Sequence, residues 1–315
     1  MRKLGVAVIG VGFWGRNHAR VFREMKDAEL VAVCDVNPER VNAVAEHYGV
    51  KGYRRSLDLL KREDVEAVTI CTWSTNLAKE AMKALKAGKH VFVEKPMAHN
   101  LQYAKKLVNL AEKEELHLAV GFIERFNPGV QHVKETIEKE EIGVPVSAVA
   151  RRVSQWPERI GDIGVVKDVA IHDIDVVRYI FGEEPMAVYA KLGRLKHGKF
   201  EDYAQIMLTF EDEKTAFIES NWLTPYKVRS LIVTGSEGII RLDYITQEVI
   251  IETSKYTLKP RYRWMEPLKI ELQHFVNCVL GREKPLVTGL DGLKNLQIAE
   301  AALKSAKKCK TMKLK

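Results

Sequence analysis

The segment Leu4-Gly-Val-Ala-Val-Ile-Gly10-Val-Gly12-Phe13-Trp14-Gly15 decides the fold. Its first residues read as a buried strand, a glycine turn follows, and residues 14–25 read as an amphipathic helix. In that context each glycine has its own task. Gly10 permits the tight turn, Gly12 lets the backbone approach a pyrophosphate, and Gly15 lets helix and strand pack closely. The helix N-terminus then offers free N–H groups to phosphates. Asp35 lies twenty residues beyond Gly15, at the end of the second strand. A carboxylate there accepts bonds from the adenosine ribose hydroxyls and repels a 2′-phosphate, so NAD is favoured over NADP. Arg40 lies close enough in sequence to keep NADP open as an alternative.

Outward from this segment the rhythm persists. Apolar strands at residues 30–34, 67–71, 90–93 and 116–120 alternate with helices at 37–48, 78–87 and 101–115. Such alternation predicts a parallel sheet covered on both faces, a dinucleotide-binding α/β domain over residues 1–121. After Gly121 the pattern changes. A helix at 129–140, a strand at 144–153 and a helix at 168–181 come first. Long alternating strands follow at 187–195, 202–210, 215–222, 228–234 and 239–244, then helices at 268–280 and 292–308. Residues 122–315 are therefore expected to form an α+β domain with a large, mostly antiparallel open sheet, serving substrate binding and oligomerisation. Large apolar sheet faces rarely stay bare, so a homodimer or homotetramer through that sheet is expected.

A length of 315 residues with 46% apolar content suits a globular chain of two domains. No stretch approaches twenty uninterrupted apolar residues, so no membrane partner is expected. The short N-terminal apolar run leads straight into the glycine turn and reads as a strand, not a signal peptide. Cys34, Cys71, Cys278 and Cys309 show no metal-ligand spacing and suit a reducing cytoplasm. The net charge is +8, with Lys304, Lys307, Lys308, Lys310, Lys313 and Lys315 crowding the C-terminus. Without interleaved aromatics these lysines read as a solvated helix end, and no nucleic-acid partner is expected.

Two further stretches carry chemistry. Val91-Phe-Val-Glu94-Lys95-Pro96 ends a strand, so its polar residues project from the sheet edge where ligands bind in doubly wound folds. Lys95 there is either a solvated lysine or a cation placed to lower the pKa of a reacting hydroxyl. In Val165-Val-Lys-Asp168-Val-Ala-Ile-His172-Asp173-Ile-Asp175, a helix would put Asp168 and His172 on one face. A carboxylate steering an imidazole supplies a base at neutral pH; the plainer reading is a helix start with its usual acids. A metal site would use Asp168, His172 and Asp175, but nothing else completes a ligand set, so no metal is expected.

Gly10-x-Gly12-x-x-Gly15, Gly88-Lys-His-Val-Phe-Val-Glu94-Lys95-Pro96 and Asp168-x-x-x-His172-Asp173-Ile-Asp175 together resemble the glucose–fructose oxidoreductase/inositol dehydrogenase (Gfo/Idh/MocA) family. The resemblance covers essentially the whole chain. It implies that His172 takes a hydroxyl proton, that Lys95 holds substrate and cofactor, and that Asp168 binds substrate or orients the histidine. It also implies a cofactor site of Gly10, Gly12, Phe13, Trp14, Gly15, Asp35, Thr72, Glu94 and Lys95. In Thr72-Trp73-Ser-Thr-Asn-Leu77, Trp73 and Leu77 stand where family members often carry proline and histidine, a departure on the nicotinamide side.

A narrower resemblance lies in Gly121-Phe-Ile-Glu124-Arg125-Phe-Asn127-Pro128 and in residues 151–166. These look like the branch that oxidises the 3-hydroxyl of UDP-N-acetylglucosamine. On that reading the substrate set is Arg125, Asn127, Arg152, Trp156, Arg159, Asp168 and His172. The arginines meet a diphosphate bidentately or else form ion pairs at the surface. Trp156, or Tyr262 and Trp264, stacks on uracil. The implied activity is NAD-dependent oxidation of a secondary sugar hydroxyl, with a UDP-N-acetylhexosamine favoured. A free-sugar or inositol dehydrogenase and a non-catalytic NAD-binding sensor are the alternatives.

Overall fold

The computed structural model describes residues 2–157 and 162–314. Every position of β1 (Leu4–Ile9) is buried, so both of its faces must be covered. The covering elements follow in order: α1 (Phe13–Glu24), β2 (Ala28–Cys34) and α2 (Pro38–Tyr48). Asn37 caps α2 by accepting the Arg40 N–H, and Gly49 ends it in a left-handed conformation at φ 66°. Then come β3 (Lys51–Tyr53), α3 (Ser56–Leu60), β4 (Ala67–Ile70), α4 (Ser74–Lys86), β5 (His90–Val93), α5 (Leu101–Lys113) and β6 (Leu118–Val120). The six strands lie in the order β3-β2-β1-β4-β5-β6, all parallel. This is the doubly wound order whose reversal, here between β1 and β4, opens a crevice at the strands' carboxyl ends. Neither β3 nor α3 was anticipated. Each is too short to develop a hydrophobic period.

The second sheet belongs to another unit. It is built from α6 (Pro128–Glu138), β7 (Pro145–Val153), α7 (Ile171–Phe181), β8 (Ala187–Gly193), β9 (Tyr203–Thr209) and β10 (Thr215–Asn221). Strands β11 (Val228–Gly235), β12 (Gly238–Asp243), β13 (Val249–Thr253) and β14 (Thr257–Leu258) follow. After α8 (Pro267–Val279) and α9 (Gly289–Lys308) comes the short strand β15 (Met312–Lys313). The nine strands run β14-β13-β12-β11-β7-β10-β9-β8-β15, antiparallel throughout except where β7 meets β10. Strand alternation points Ala148, Ala150, Ile206, Leu208, Ile218, Leu231 and Val233 into a core shared with Ile174, Val177 and Ile180 of α7. The opposite face carries a row in register, Tyr189–Met207–Phe217–Val149–Ile232. Within it Met207 is 43%, Phe217 40% and Val149 43% exposed.

One compact unit is Met1–Phe122 with Leu268–Lys294; the other is Ile123–Pro267 with Asn295–Lys315. The contiguous division at 121/122 read from the sequence differs in this respect. Residues 268–294 pack in the first unit, where Phe275 meets Phe92 edge-on at 5.7 Å. No composition change marks that return.

The four cysteines are unpaired thiols. Burial pushes the Cys34 thiol up to about 12, so it packs as a small hydrophobe. Among the described residues no helix is long and apolar enough to cross a membrane.

A pH dependence follows from the β5–β6 edge. The His117 N–H donates to His90 Nδ1 at 3.1 Å, which requires that nitrogen to be unprotonated. Burial, then the His117 charge, holds His90 below its ordinary range, against the pull of Glu66. Burial does the same to His117. A depressed folded pKa means this stability is present above about pH 6.5 and lost as pH falls through the folded value. The melting temperature is expected to fall between pH 7.5 and 5, with a flatter slope in His90→Asn. A slope unchanged by that substitution would refute the assignment.

Candidate active site

The turn after β1 is shaped for a dinucleotide. A Cβ on Gly10, which sits at φ 90°, would lie 2.7 Å from the Cys71 carbonyl oxygen, and one on Gly15 only 1.8 Å from the Gly10 oxygen. These two glycines are demanded by the protein's own packing. Gly12 differs: a Cβ there would meet nothing nearer than Arg40 Nη1 at 3.8 Å. It leaves open the side from which a pyrophosphate would approach. The start of α1 has neither a side-chain cap nor an acidic residue in its first turn, so its N–H groups suit an anion.

Asp35 is buried at the end of β2. Its Oδ2 accepts the Val11 N–H at 2.9 Å and Arg40 Nη1 at 3.3 Å, while Oδ1 accepts the Asn37 N–H at 3.0 Å. The carboxylate is thus locked against the glycine turn, with lone pairs remaining for ribose hydroxyls. Phe13 is exposed and meets Trp14 edge-on at 5.7 Å. The Thr72 hydroxyl donates to the Trp73 carbonyl at 3.4 Å just beyond β4. Exposed Trp73 stands at the N-cap position of α4, whereas Leu77 is core.

Glu94 and Lys95 follow β5, and the Lys95–Pro96 peptide is cis. Glu94 Oε1 meets His18 Nε2 at 3.1 Å, and its Oε2 accepts the Lys95 N–H at 3.3 Å. A Cβ on Gly121 would come within 3.1 Å of this carboxyl group. Sequence reasoning missed His18. Its signal was there: Gly15, His18, Ala19 and Phe22 form the buried stripe of α1, and a histidine in such a stripe calls for a polar partner.

In the second unit, Asp168 and His172 do not share one regular helix. Residues Val166–Ala170 form a π-helical turn, closed by the Ile171 N–H to the Val166 carbonyl, and α7 starts only at Ile171. Asp168 is buried in that turn, and His172 is half-buried in the first turn of α7. A one-turn π segment inside a helix is uncommon and concentrates at functional sites.

The arginines depart from the diphosphate reading. Arg125 binds Asp175 bidentately at 2.8 and 2.7 Å, and Asp175 also accepts from Asn295 at 2.6 Å. Arg152 holds Asp173 through two bonds of 3.0 Å and Glu124 through a third of 2.7 Å. Burial opposes the Arg152 charge, but Asp173 and Glu124 outweigh it and hold the guanidinium charged. Their donor forks face protein carboxylates, because a buried acid demands a partner more strongly than a solvated substrate does. Asn127 is likewise occupied. It caps α6 by accepting the Gly129 N–H at 3.0 Å and donates to Glu124 at 3.2 Å and to the Tyr244 carbonyl at 3.0 Å.

Trp156 packs edge-on against Trp222 at 5.5 Å and beside His197 at 5.1 Å. Tyr262 donates to the Gln247 carbonyl, and Trp264 donates to the Ile245 carbonyl at 3.2 Å while staying exposed. Arg159 lies outside the described residues. Asp175, named in the alternative metal set, is neutralised by Arg125. Among the described residues no group of three His, Cys, Asp or Glu side chains is arranged to hold a metal ion.

Comparison with known proteins agrees with this geometry. Residues 4–122 match the oxidoreductase family model with an NAD-binding Rossmann fold, and residues 130–241 match the Gfo/Idh/MocA C-terminal domain. Myo-inositol 2-dehydrogenase of Thermotoga maritima is 33% identical, across 98% of this chain and 98% of its own. The NAD-dependent scyllo-inositol 2-dehydrogenase of Bacillus subtilis is 30% identical over 95% of this chain and 93% of its own. Among solved structures, UDP-N-acetylglucosamine 3-dehydrogenase from Acidithiobacillus ferrooxidans superposes with a TM-score of 0.89 at 25% identity, covering 98% of this chain and 99% of that one. The chain belongs to the Gfo/Idh/MocA oxidoreductase family. Its first unit is an NAD-binding Rossmann domain, and the protein is a dehydrogenase acting on CH–OH groups.

The Asp35–Arg40 contact yields a test of cofactor choice. Asp35→Ser removes the carboxylate that engages the Arg40 guanidinium and leaves that group available for a 2′-phosphate. The ratio of kcat/KM for NADP over NAD is expected to rise roughly 10–100-fold, the worth of one or two charge-assisted bonds. Steady-state kinetics with both cofactors measures it; an unchanged ratio would remove Asp35 from cofactor selection.

Proposed function

We propose that this protein oxidises a secondary hydroxyl on the ring of a sugar or cyclic polyol. The Gly10–Gly15 turn and Asp35 would hold NAD, which would supply the acceptor for the hydride of the carbinol carbon. His172 takes the hydroxyl proton, Asp168 fixes the imidazole, and the Lys95 ammonium stabilises the developing alkoxide. The π-helical turn that carries Asp168 directly into the helix of His172 is the observation behind this reading. Glu94, held by His18, anchors the main chain of Lys95.

For the substrate, the first reading is the 3-hydroxyl of a UDP-N-acetylhexosamine. The likeness of residues 121–128 and 151–166 to that branch supports it, as does the solved 3-dehydrogenase. The curated inositol dehydrogenases, similar along nearly their full length, favour an inositol as the second reading. Incubating the protein and NAD with UDP-N-acetylglucosamine, free hexoses and inositols, and following nicotinamide reduction, separates the two. Silence across the whole panel would leave a non-catalytic NAD sensor. His172→Ala is expected to lower kcat roughly 10²–10⁴-fold with the Kd for NAD nearly unchanged. Undiminished turnover would take His172 out of the mechanism.

A second copy of the chain is the proposed occupant of the outward face of the nine-stranded sheet, in a homodimer or homotetramer. The in-register apolar row through Phe217 supports it, and so does its rim, where Arg151 and Glu219 pair at 2.9 Å. Phe217→Arg is expected to shift the protein toward monomer in light scattering after size exclusion, with its circular dichroism intact. An unchanged mass would direct the interface elsewhere. The free cysteines support placement in a reducing cytoplasm.

A further inference from the structure

Next to the His172 stretch, the second unit gathers positive charge unevenly. Arg229 stands directly across from Arg152 in the β11–β7 register, so two guanidinium side chains share one sheet face at cross-strand distance. Arg152 is fully engaged by Asp173, the residue after His172, and by Glu124. Among the described residues Arg229 reaches only the Glu124 oxygen that Arg152 already holds, and at 3.5 Å; its side chain stays 38% exposed. Lys227, two residues earlier, is exposed and forms no ion pair among the described residues. Burial and the Arg152 charge pull the Arg229 guanidinium down, against the opposing pull of Glu124, Asp173 and Asp168. The Arg229 charge in turn pulls Lys227 down, with burial and Arg152 adding to it and Glu124 opposing. Like charges set across a strand pair oppose one another; Asp173 and Glu124 offset the Arg152 charge, while Lys227 has no carboxylate within ion-pair distance among the described residues.

We propose that Lys227 and Arg229 form a subsite for an anionic substituent of the substrate, with a phosphoryl group as its fit; this rests on the dehydrogenase reading above. The pair divides the work of phosphate recognition. A guanidinium fork supplies geometry, and an ammonium on a flexible stem supplies charge. Arg125 and Arg152 cannot take this part, since buried carboxylates occupy them. The subsite therefore moves the anion-binding role from Arg125 and Arg152 to the start of β11. A sugar acid would present the same chemistry with a single carboxylate, so the test carries both probes.

Binding is read first by calorimetry on protein saturated with NAD, so that the glycine turn is already filled. Inorganic pyrophosphate and UDP are expected to bind, more weakly at high salt, and Lys227→Gln with Arg229→Gln is expected to weaken both about tenfold or more. Lys227→Gln alone, at an exposed position, guards against a folding defect in the double variant. In turnover, the double variant is expected to raise KM for UDP-N-acetylglucosamine at least about tenfold more than KM for myo-inositol. Equal shifts for both substrates, no pyrophosphate binding, or binding of glucuronate in preference to pyrophosphate would overturn the subsite. If no alcohol in the panel reduces NAD, the dehydrogenase reading fails instead, while calorimetry still decides whether the two cations bind phosphate.

Discussion

Helix α7 carries acids into a core that cannot accept them alone. Asp173 and Asp175 lie among Ile174, Val176, Val177 and Ile180, all buried, and an isolated carboxylate there would cost several kcal/mol. Arg152 from β7 and Arg125 from the segment before α6 each answer one acid with two bonds. Such pairs are weak evidence for stability but strong evidence for geometry, because any other rotation of α7 would strand a charge. The rotation of α7 in turn sets where His172 points. The proposed base is thus positioned by its neighbour's partner.

The cofactor half is organised by contact distance instead of charge. Gly15 approaches the Gly10 carbonyl so closely that no side chain fits, which draws α1 onto β1 and brings its uncapped N-terminus over the turn. Asp35 then ties the second strand to that turn through the Val11 N–H. On the other side of the sheet reversal, Glu94 is held by His18 from α1 itself. One helix therefore supplies the anion-binding end and also steadies the segment that bears Lys95.

Relatives that oxidise inositols and a solved structure that oxidises a UDP-sugar share this architecture. Hydride chemistry on a carbinol asks the same of each: a cofactor cradle, a base and a cation. Discrimination among alcohols has to come from elsewhere in the substrate unit, where fold likeness carries little information. In this chain the charges at the start of β11 are the feature that a neutral polyol would not use.

The sequence alone determined the doubly wound domain, because buried strands, helix periods and the glycine spacing are local and repeat without ambiguity. It also determined the open, mostly antiparallel sheet from strand alternation, and the chemical identity of Asp35, Lys95, Asp168 and His172. It did not disclose the short β3 and α3, whose few residues carry no period, or the return of residues 268–294 to the first unit. The roles of Arg125, Arg152 and Asn127 were beyond its reach as well. An arginine has the same letter whether it waits for a phosphate or neutralises a buried acid, and only the burial of Asp173 and Asp175 settles which. His18 is the converse case, a residue given meaning by a glutamate seventy-six positions away. Partnership among charges depends on distance in space and on exclusion of water, and neither is written in the order of the chain.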